Sequence, residues 1–287
     1  MSSPHTLSDV TVITVSYNSA PVLKQMLSSL PNGVKTIIVD NAGSDGAALN
    51  ELAQSPAVKI LRNEKNLGFG RACNFGASHA DTEFLFFLNP DSVVQPGTVE
   101  AFLAAAGRHP PQTAFTPRIA NSNGSPNFRR RSVLLPRREW LPRGWPEVEC
   151  EVPVVSGAAI FVRRAYFADL QFDPNIFMYH EDDDWSLRVR AAGGKLVFVP
   201  DAHVVHMAGH SSGRDPEITR FKAYHLGVSR VYAMQKHGRP LARIRCLAHA
   251  AGGLLSPFLL FSSRKRAKQV GLVAGVWDGL DKKREIE

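Results

Sequence analysis

Val10-Thr11-Val12-Ile13-Thr14-Val15-Ser16-Tyr17-Asn18-Ser19 decides the fold. The β-branched run predicts a short buried strand, and the polar tetrad after it predicts a turn into a helix reaching about Leu30, capped by Asn18 or Ser19. The theme repeats. Lys35-Thr36-Ile37-Ile38-Val39 reads as a second strand ending at Asp40-Asn41, and the turn from Gly43 to Gly46 leads into another helix. Residues 58–61 read as a third strand. Phe84-Leu85-Phe86-Phe87-Leu88 reads as a fourth, apolar throughout and so buried on both faces. Strands alternating with helices predict an α/β fold whose parallel sheet is flanked by helices on both sides.

In such sheets ligands collect beyond the carboxyl ends of the strands. That rule joins Ser16-Tyr17-Asn18, Asp40-Asn41 and Asn89-Pro90-Asp91 into one candidate site, although turn chemistry alone explains any one of them. Between the third and fourth strands lies a glycine-rich loop that includes Gly68, Gly70, Arg71 and Asn74. Cys73 stands where a dinucleotide fingerprint needs its third glycine, so no such site is expected. Residues 120–150 are irregular and crowd together Arg129, Arg130, Arg131, Arg137, Arg138 and Arg143, either a solvated surface or a loop that meets phosphate. A strand is expected over 153–162, where Ser156-Gly157-Ala158-Ala159 permits close approach of a ligand or backbone. A helix over 181–192 stops at Gly193-Gly194. Strands follow at 195–199 and 202–205, ending at His206, with His210, Ser211 and Ser212 just beyond. Helices are expected at 218–236 and after Pro240.

At 287 residues, with 44% hydrophobic and 21% charged, the chain can fill the core of one large domain with or without an appendage. Cys73, Cys150 and Cys246 are widely spaced, which suits a reducing compartment and neither a disulfide framework nor a zinc site. The first residues carry no basic and apolar leader, so a cytoplasmic protein is expected. The net charge of +8 is uneven: residues 220–287 hold 14 Lys and Arg against 4 Asp and Glu, while residues 1–219 hold 20 against 22. A nucleic-acid binder carries its basic face on the folded module, so nucleic acid is not the expected partner. A main folded domain over 1–215 and a basic helical segment over 216–287 are expected. Within that segment, the 15-residue apolar run 247–261 is shorter than the ~20 residues of a spanning helix. With arginines and lysines on either side it predicts contact with an anionic membrane surface, or else packing on the main domain or a second copy.

Against this background stands Tyr179-His180-Glu181-Asp182-Asp183-Asp184-Trp185-Ser186-Leu187-Arg188, with four consecutive carboxylates between apolar segments. Acids in a first helical turn favour the macrodipole, which is one explanation. A site at the mouth of a core is the other.

The ordered motifs Val15-Ser16-Tyr17-Asn18, Val39-Asp40-Asn41, Asn66-x-Gly68-Phe69 with Asn74 and Gly76, Leu88-Asn89-Pro90-Asp91, Gly157-Ala158, Phe172-Asp173, Glu181-Asp182-x-Asp184 with Arg188, and His206-x-x-Gly209-x-Ser211 resemble glycosyltransferase family 2. Their look is that of its bacterial rhamnosyltransferases, over roughly residues 10–212. The resemblance implies a GT-A fold with a mixed, mainly parallel sheet, an inverting transfer, and a nucleotide-sugar donor bound with Mg²⁺ or Mn²⁺. Asp91 takes the place of the last acid of the family's D-x-D motif, with Asn89 at the first position. His206 matches a position that completes the metal shell, and His210 matches less clearly. Asp40 resembles the acid that holds base or ribose, with Ser16, Asn18 and Asn41 beside it. Arg71, Asn74 and Gly157 complete the donor set. Asp182 matches the general base, since an inverting displacement needs a carboxylate to take the acceptor hydroxyl's proton. Glu181 would support it, and Asp183 would face solvent.

The implied activity is transfer of L-rhamnose from dTDP-L-rhamnose to a saccharide or polyprenyl-linked glycan, at the inner face of the cytoplasmic membrane. The alternatives are a UDP- or GDP-hexose donor and an inactive nucleotide-binding scaffold. A nucleotidyltransferase is disfavoured, because Ser16-Tyr17-Asn18-Ser19-Ala20 is not a glycine-rich basic phosphate loop.

Overall fold

The computed structural model describes residues 5–207, 215–256, 259 and 261–281. Strands β1 (Val10–Ser16), β2 (Lys35–Asp40), β3 (Val58–Arg62) and β4 (Phe84–Leu88) lie parallel in the order β3-β2-β1-β4. Helices α1 (Ala20–Ser28), α2 (Gly46–Leu52) and α3 (Phe69–Ser78) make the crossovers. Beyond β4 the sheet turns mixed. β5 (Ser92–Val94), α4 (Thr98–Arg108), β6 (Thr113–Asn121), β7 (Cys150–Glu151) and β8 (Ala159–Arg163) come next in the chain, and then α5 (Arg164–Asp169), α6 (Glu181–Ala191) and β9 (Lys195–His206). Here the spatial order is β4-β8-β6-β9-β5: β8 runs antiparallel to β4 and β6, and β6 runs parallel to β9.

The apolar run of β4 serves two cores, as expected of a strand covered on both sides. Phe84 and Phe86 pack with Phe102 and Phe161 on one face. Leu85 and Phe87 pack with Phe167, Phe172 and Trp185 on the other. Each such side chain contributes about 1.5–3 kcal/mol on burial. Phe172 and Trp185 thereby fix the start of α6 against the sheet.

Three local expectations change. The strand over 153–162 begins only at Ala159, because the preceding amides are drawn toward α6: Val155 N–H donates to Ser186 Oγ at 3.1 Å and Gly157 N–H to Asp182 Oδ2 at 3.0 Å. The two strands expected at 195–199 and 202–205 are one, β9, whose register against β6 slips between Pro117 and Arg118. Helix α1 takes its cap from elsewhere. Asn18 sits in the left-handed region at φ 55°, and Asp45 Oδ2 accepts the Ala20 N–H at 2.7 Å.

The C-terminal helices α7 (Pro216–Lys236), α8 (Ala242–Leu254) and α9 (Ser263–Asp281) form a third core with Leu134 and flanking Leu187. α7 and α9 approach backbone to backbone: a Cβ on Gly275 would strike the Tyr224 carbonyl. No helix among the described residues is long and apolar enough to cross a membrane.

Candidate active site

The parallel strands deliver their polar ends to one rim. Ser16 pairs in register with Asp40, and Asp40 with Arg62. Asp40 Oδ1 accepts the Gly43 N–H at 3.0 Å, with Arg62 Nε 3.9 Å from Oδ2. Ser16 Oγ is buried and has no hydrogen-bond partner among the described residues. A buried hydroxyl in that state is left for a ligand or water.

The other donor-side residues divide. Asn18 Oδ1 is held by the Ser44 N–H at 2.6 Å. Asn41 is spent on its own loop: its amide donates to Asn66 Oδ1 and Gly68 O, while its oxygen accepts from Asn63 Nδ2 and the Leu67 N–H. Asn74 likewise makes a reciprocal pair with the Phe172 backbone at 2.8 and 3.0 Å. Both asparagines shape the rim rather than face outward from it. Arg71 is exposed on α3. Gly68 is required where it stands, with φ 80° and no space for a Cβ beside the Phe177 carbonyl, which accepts the Phe69 N–H at 2.9 Å.

The next strand end brings Asp91 and His206 together. Ser92 pairs with His206 across β5 and β9, and His206 Nε2 lies 3.1 Å from Asp91 Oδ1 and 3.3 Å from Asn89 Nδ2. Asn127 faces the other ring nitrogen, Nδ1, at 3.3 Å. With the Asn127 amide turned over, its oxygen accepts Nδ1–H and the Nε2 lone pair is free toward Asp91. An imidazole and a carboxylate 3.1 Å apart suit adjacent corners of an octahedron with bonds of about 2.1 Å. The residues therefore fit a divalent cation. No group of three or more His, Cys, Asp or Glu suited to a metal occurs among the described residues, so phosphate and water would supply the remaining ligands. Lys222 of α7, which the sequence had not singled out, is half-buried within electrostatic reach of Asp91. Burial lowers its pKa and the Asp91 charge opposes that. His210, Ser211 and Gly209 lie outside the described residues.

The acidic run sits at the start of α6, after Tyr179 and His180 at φ 68° and 66°. Left-handed backbone at two successive non-glycine residues costs about 1–3 kcal/mol each and persists only where neighbours enforce it. Here His180 Nδ1 bonds Asp183 Oδ2 at 2.9 Å, and Arg129 Nη2 reaches the same oxygen at 2.7 Å. Asp183 is thus fully buried and ion-paired, not solvent-facing as the sequence suggested. Burial pushes its carboxyl up, but the bond from His180 and the Arg129 charge outweigh it and hold the group at about 2. Asp184 is fully buried also. Its burial is outweighed by His237 and Lys236 of α7 and by Arg188, at 2.7–2.8 Å, and it too stands at about 2.

Asp182 and Glu181 are left with different surroundings. Asp182 Oδ2 accepts the Gly157 N–H at 3.0 Å, Oδ1 accepts the Asp183 N–H at 2.8 Å, and Arg129 Nη2 stands 3.5 Å from Oδ1. The role of Gly157 is that N–H, since a Cβ there would meet Asp182 at an ordinary 3.5 Å. Two residues connect this carboxylate to the strand end bearing Asn89 and Asp91, because the Asn89 N–H donates to Ala158 O at 3.0 Å. Glu181 Oε2 is buried without a partner among the described residues. Burial, then the Asp182 charge, push its carboxyl up to about 8, so it is neutral at pH 7. The four acids therefore comprise two structural anions, one neutral acid and Asp182.

Residues 11–171 match Glycosyl transferase family 2. The chain belongs to that family. It is 31% identical to an N-acetylglucosaminyl-diphospho-decaprenol L-rhamnosyltransferase of Mycobacterium tuberculosis, over 92% of this chain and 97% of that protein. It is 26% identical to the rhamnosyltransferase WbbL of Escherichia coli, over 71% of this chain and 85% of WbbL. Its fold resembles the crystal structure of GalNAc-T7 with UDP, GalNAc and Mn²⁺, at a TM-score of 0.58 and 16% identity, covering 96% of this chain and 56% of that one. The chain therefore spans just over half of that structure's length. The mixed α/β architecture of this family 2 glycosyltransferase is thus of GT-A type, with helices added at the C-terminus.

Proposed function

We propose that this glycosyltransferase moves L-rhamnose from dTDP-L-rhamnose, with inversion, to a saccharide carried on a lipid diphosphate. The observation that carries this is the position of Asp182, fixed by two backbone N–H donors and two residues from the strand end bearing Asn89 and Asp91. The likeness to two rhamnosyltransferases supports the sugar, and the name of the mycobacterial one supports a lipid-linked acceptor.

In this reading Ser16 and Asp40 hold the nucleoside. Mg²⁺ or Mn²⁺, held by Asp91 and His206, would neutralise the charge that develops on the leaving nucleoside diphosphate. Asp182 accepts the proton of the attacking acceptor hydroxyl, with its orientation set by the Gly157 and Asp183 amides and the Arg129 charge. Neutral Glu181 leaves Asp182 as the proton acceptor of the pair. An inactive scaffold would lack the base or the metal acid, and carboxylates stand at both positions, Asp182 and Asp91.

The C-terminal segment supports contact with the inner face of the membrane: Ile244, Leu247, Leu254, Leu255 and Phe261 are exposed, with Arg243, Arg245, Arg264 and Lys268 among them. Flotation with anionic vesicles checks this. Leu255→Asp with Phe261→Asp should release the protein, and unchanged flotation would favour a surface between two copies.

The decisive experiment is nucleoside diphosphate release from dTDP-rhamnose, UDP-hexoses and GDP-hexoses, with N-acetylglucosaminyl-diphospho-dodecane as acceptor and Mg²⁺ or Mn²⁺ present. Release from dTDP-rhamnose alone, abolished by EDTA, is expected. Turnover of a UDP or GDP sugar would replace the donor assignment, and no turnover of any sugar would favour the scaffold.

A further inference from the structure

Six arginines lie between β6 and β7, and the proposed chemistry uses only Arg129. The segment is irregular yet built. Trp145 Nε1 donates to Ile119 O at 2.9 Å, Arg130 Nη1 and the Leu141 N–H tie residues 130 and 141 together, and Leu134 and Leu135 are buried. The Arg131 guanidinium is held 5.7 Å from the Trp140 ring. Four of the arginines line two adjoining cavities of about 360 and 440 Å³ beside these anchors. The first is lined by Asn127, Phe128, Arg129, Arg130, Arg131 and Ser156. The second shares Phe128, Arg130 and Arg131 and adds Arg143. No carboxylate lines either one.

Position narrows the ligand. The cavity begins at the base, since Arg129 stands 3.5 Å from Asp182 and Ser156 adjoins Gly157, whose N–H holds the same carboxylate. It lies on the far side of the His206 ring from Asp91, because its lining residue Asn127 meets Nδ1 and Asp91 meets Nε2. An anion seated here is therefore separate from the donor's phosphates. It is also within a sugar's breadth of the group that deprotonates the acceptor. Clustered guanidinium forks suit phosphate oxygens, which they bind in pairs with short, charge-assisted bonds.

We propose that this arginine-lined cavity is the acceptor's anionic subsite, taking the diphosphate that joins the acceptor sugar to its lipid. The inference rests on the lipid-linked acceptor proposed above, and it adds the residues that tell such an acceptor from a neutral glycan. Arg130 and Arg131 grip the diphosphate, Arg143 guides it at the outer edge, and Arg129 couples the subsite to Asp182.

Calorimetric titration of the full chain with dodecyl diphosphate, in EDTA and below its micelle concentration, tests binding without reference to the sugar donor. Arg130→Gln with Arg131→Gln should weaken binding about tenfold or more, while dTDP binding measured with Mg²⁺ stays within about twofold. Arg143→Gln, at an exposed position, should weaken dodecyl diphosphate about threefold and keeps the test open if the double variant is unstable. In turnover, the double variant should raise KM for N-acetylglucosaminyl-diphospho-dodecane and leave kcat/KM for dodecyl N-acetylglucosaminide unchanged. Equal dodecyl diphosphate affinity in all proteins overturns the proposal. So does a parallel fall in dTDP affinity, which would give the cavity to the donor, and so does equal loss on both acceptors. Failure of the wild type to transfer rhamnose to either acceptor would defeat the function proposed above and leave the titration to decide the subsite.

Discussion

The rim at the ends of β1, β2 and β4 and the first turn of α6 both present acids, but they are built from different ranges of the chain. On the rim, Asp40 is held by Gly43, three residues on, and Asn18 by Ser44 in the next turn. At α6 every counter-charge but those of His180 and Arg188 is imported: Arg129 comes from the irregular segment, and Lys236 and His237 come from the far end of α7. Local turns fix Asp40 and Asn18 on the rim, while Asp91 beyond β4 meets His206 of β9. Asp183 and Asp184, adjacent in a near-dry setting, need separate partners, and distant segments supply Arg129, Lys236 and His237 without crowding the helix.

The sharpest attempt to break that contrast is Asp182→Asn. If the run is divided as described, transfer should fall about 10²–10⁴-fold while dTDP affinity barely moves, as read by product formation and calorimetry. Near-normal turnover would remove Asp182 as base. Arg129→Gln comes next. It leaves Asp183 buried with His180 alone and should cost about 3 kcal/mol, visible as a lower urea midpoint. An unchanged midpoint would mean that the imported charge is dispensable. Lys236→Met removes a cation from Asp184 and leaves Asp173, which Lys236 and Tyr232 hold at 2.6 and 2.8 Å, with Tyr232 and the Asn175 N–H. About 2 kcal/mol is expected, by the same denaturation.

A further effect is in pH. Asp183 and Asp184, at about 2 against an unfolded 3.8, contribute stability that is present above 3.8 and lost as pH falls toward 2. Glu181 acts oppositely. Held at about 8 against 4.5, it keeps a proton that the unfolded chain has released, so stability falls as pH rises from 4.5 to 8. Glu181→Gln should flatten that decline by a few degrees in Tm, and an unaltered profile would show Glu181 ionised in the folded protein.

The same contrast explains what the sequence revealed. The strand-end positions of Asp40, Asn89 and Asp91 were legible because Asp40 closes the apolar strand β2 and Asn89 and Asp91 lie within three residues of the end of β4. Asp183 was misread because its partner lies 54 residues away in a stretch without periodicity. Asn41 and Asn74 looked like ligand contacts, since an asparagine that clips a loop and one that grips a substrate are the same letter. Strands β5 and β6 and helix α4 went unnoticed: Ser92–Val94 is too short to show alternation, and Thr113–Asn121 carries Pro117 and Arg118 at its irregular register.

Helix α7 begins near Asp91, through Lys222, and ends on Asp173 and Asp184 through Lys236 and His237. At 1.5 Å per residue, the fourteen residues from 222 to 236 span about 21 Å. A shortened chain ending before residue 216 would look, on paper, like the enzyme minus its tail. It would instead strip Asp173 of Lys236 and leave buried Asp184 with Arg188 alone. An expression clone for this protein should therefore carry the whole C-terminal bundle, and exposed Leu254, Leu255 and Phe261 are the places to adjust solubility.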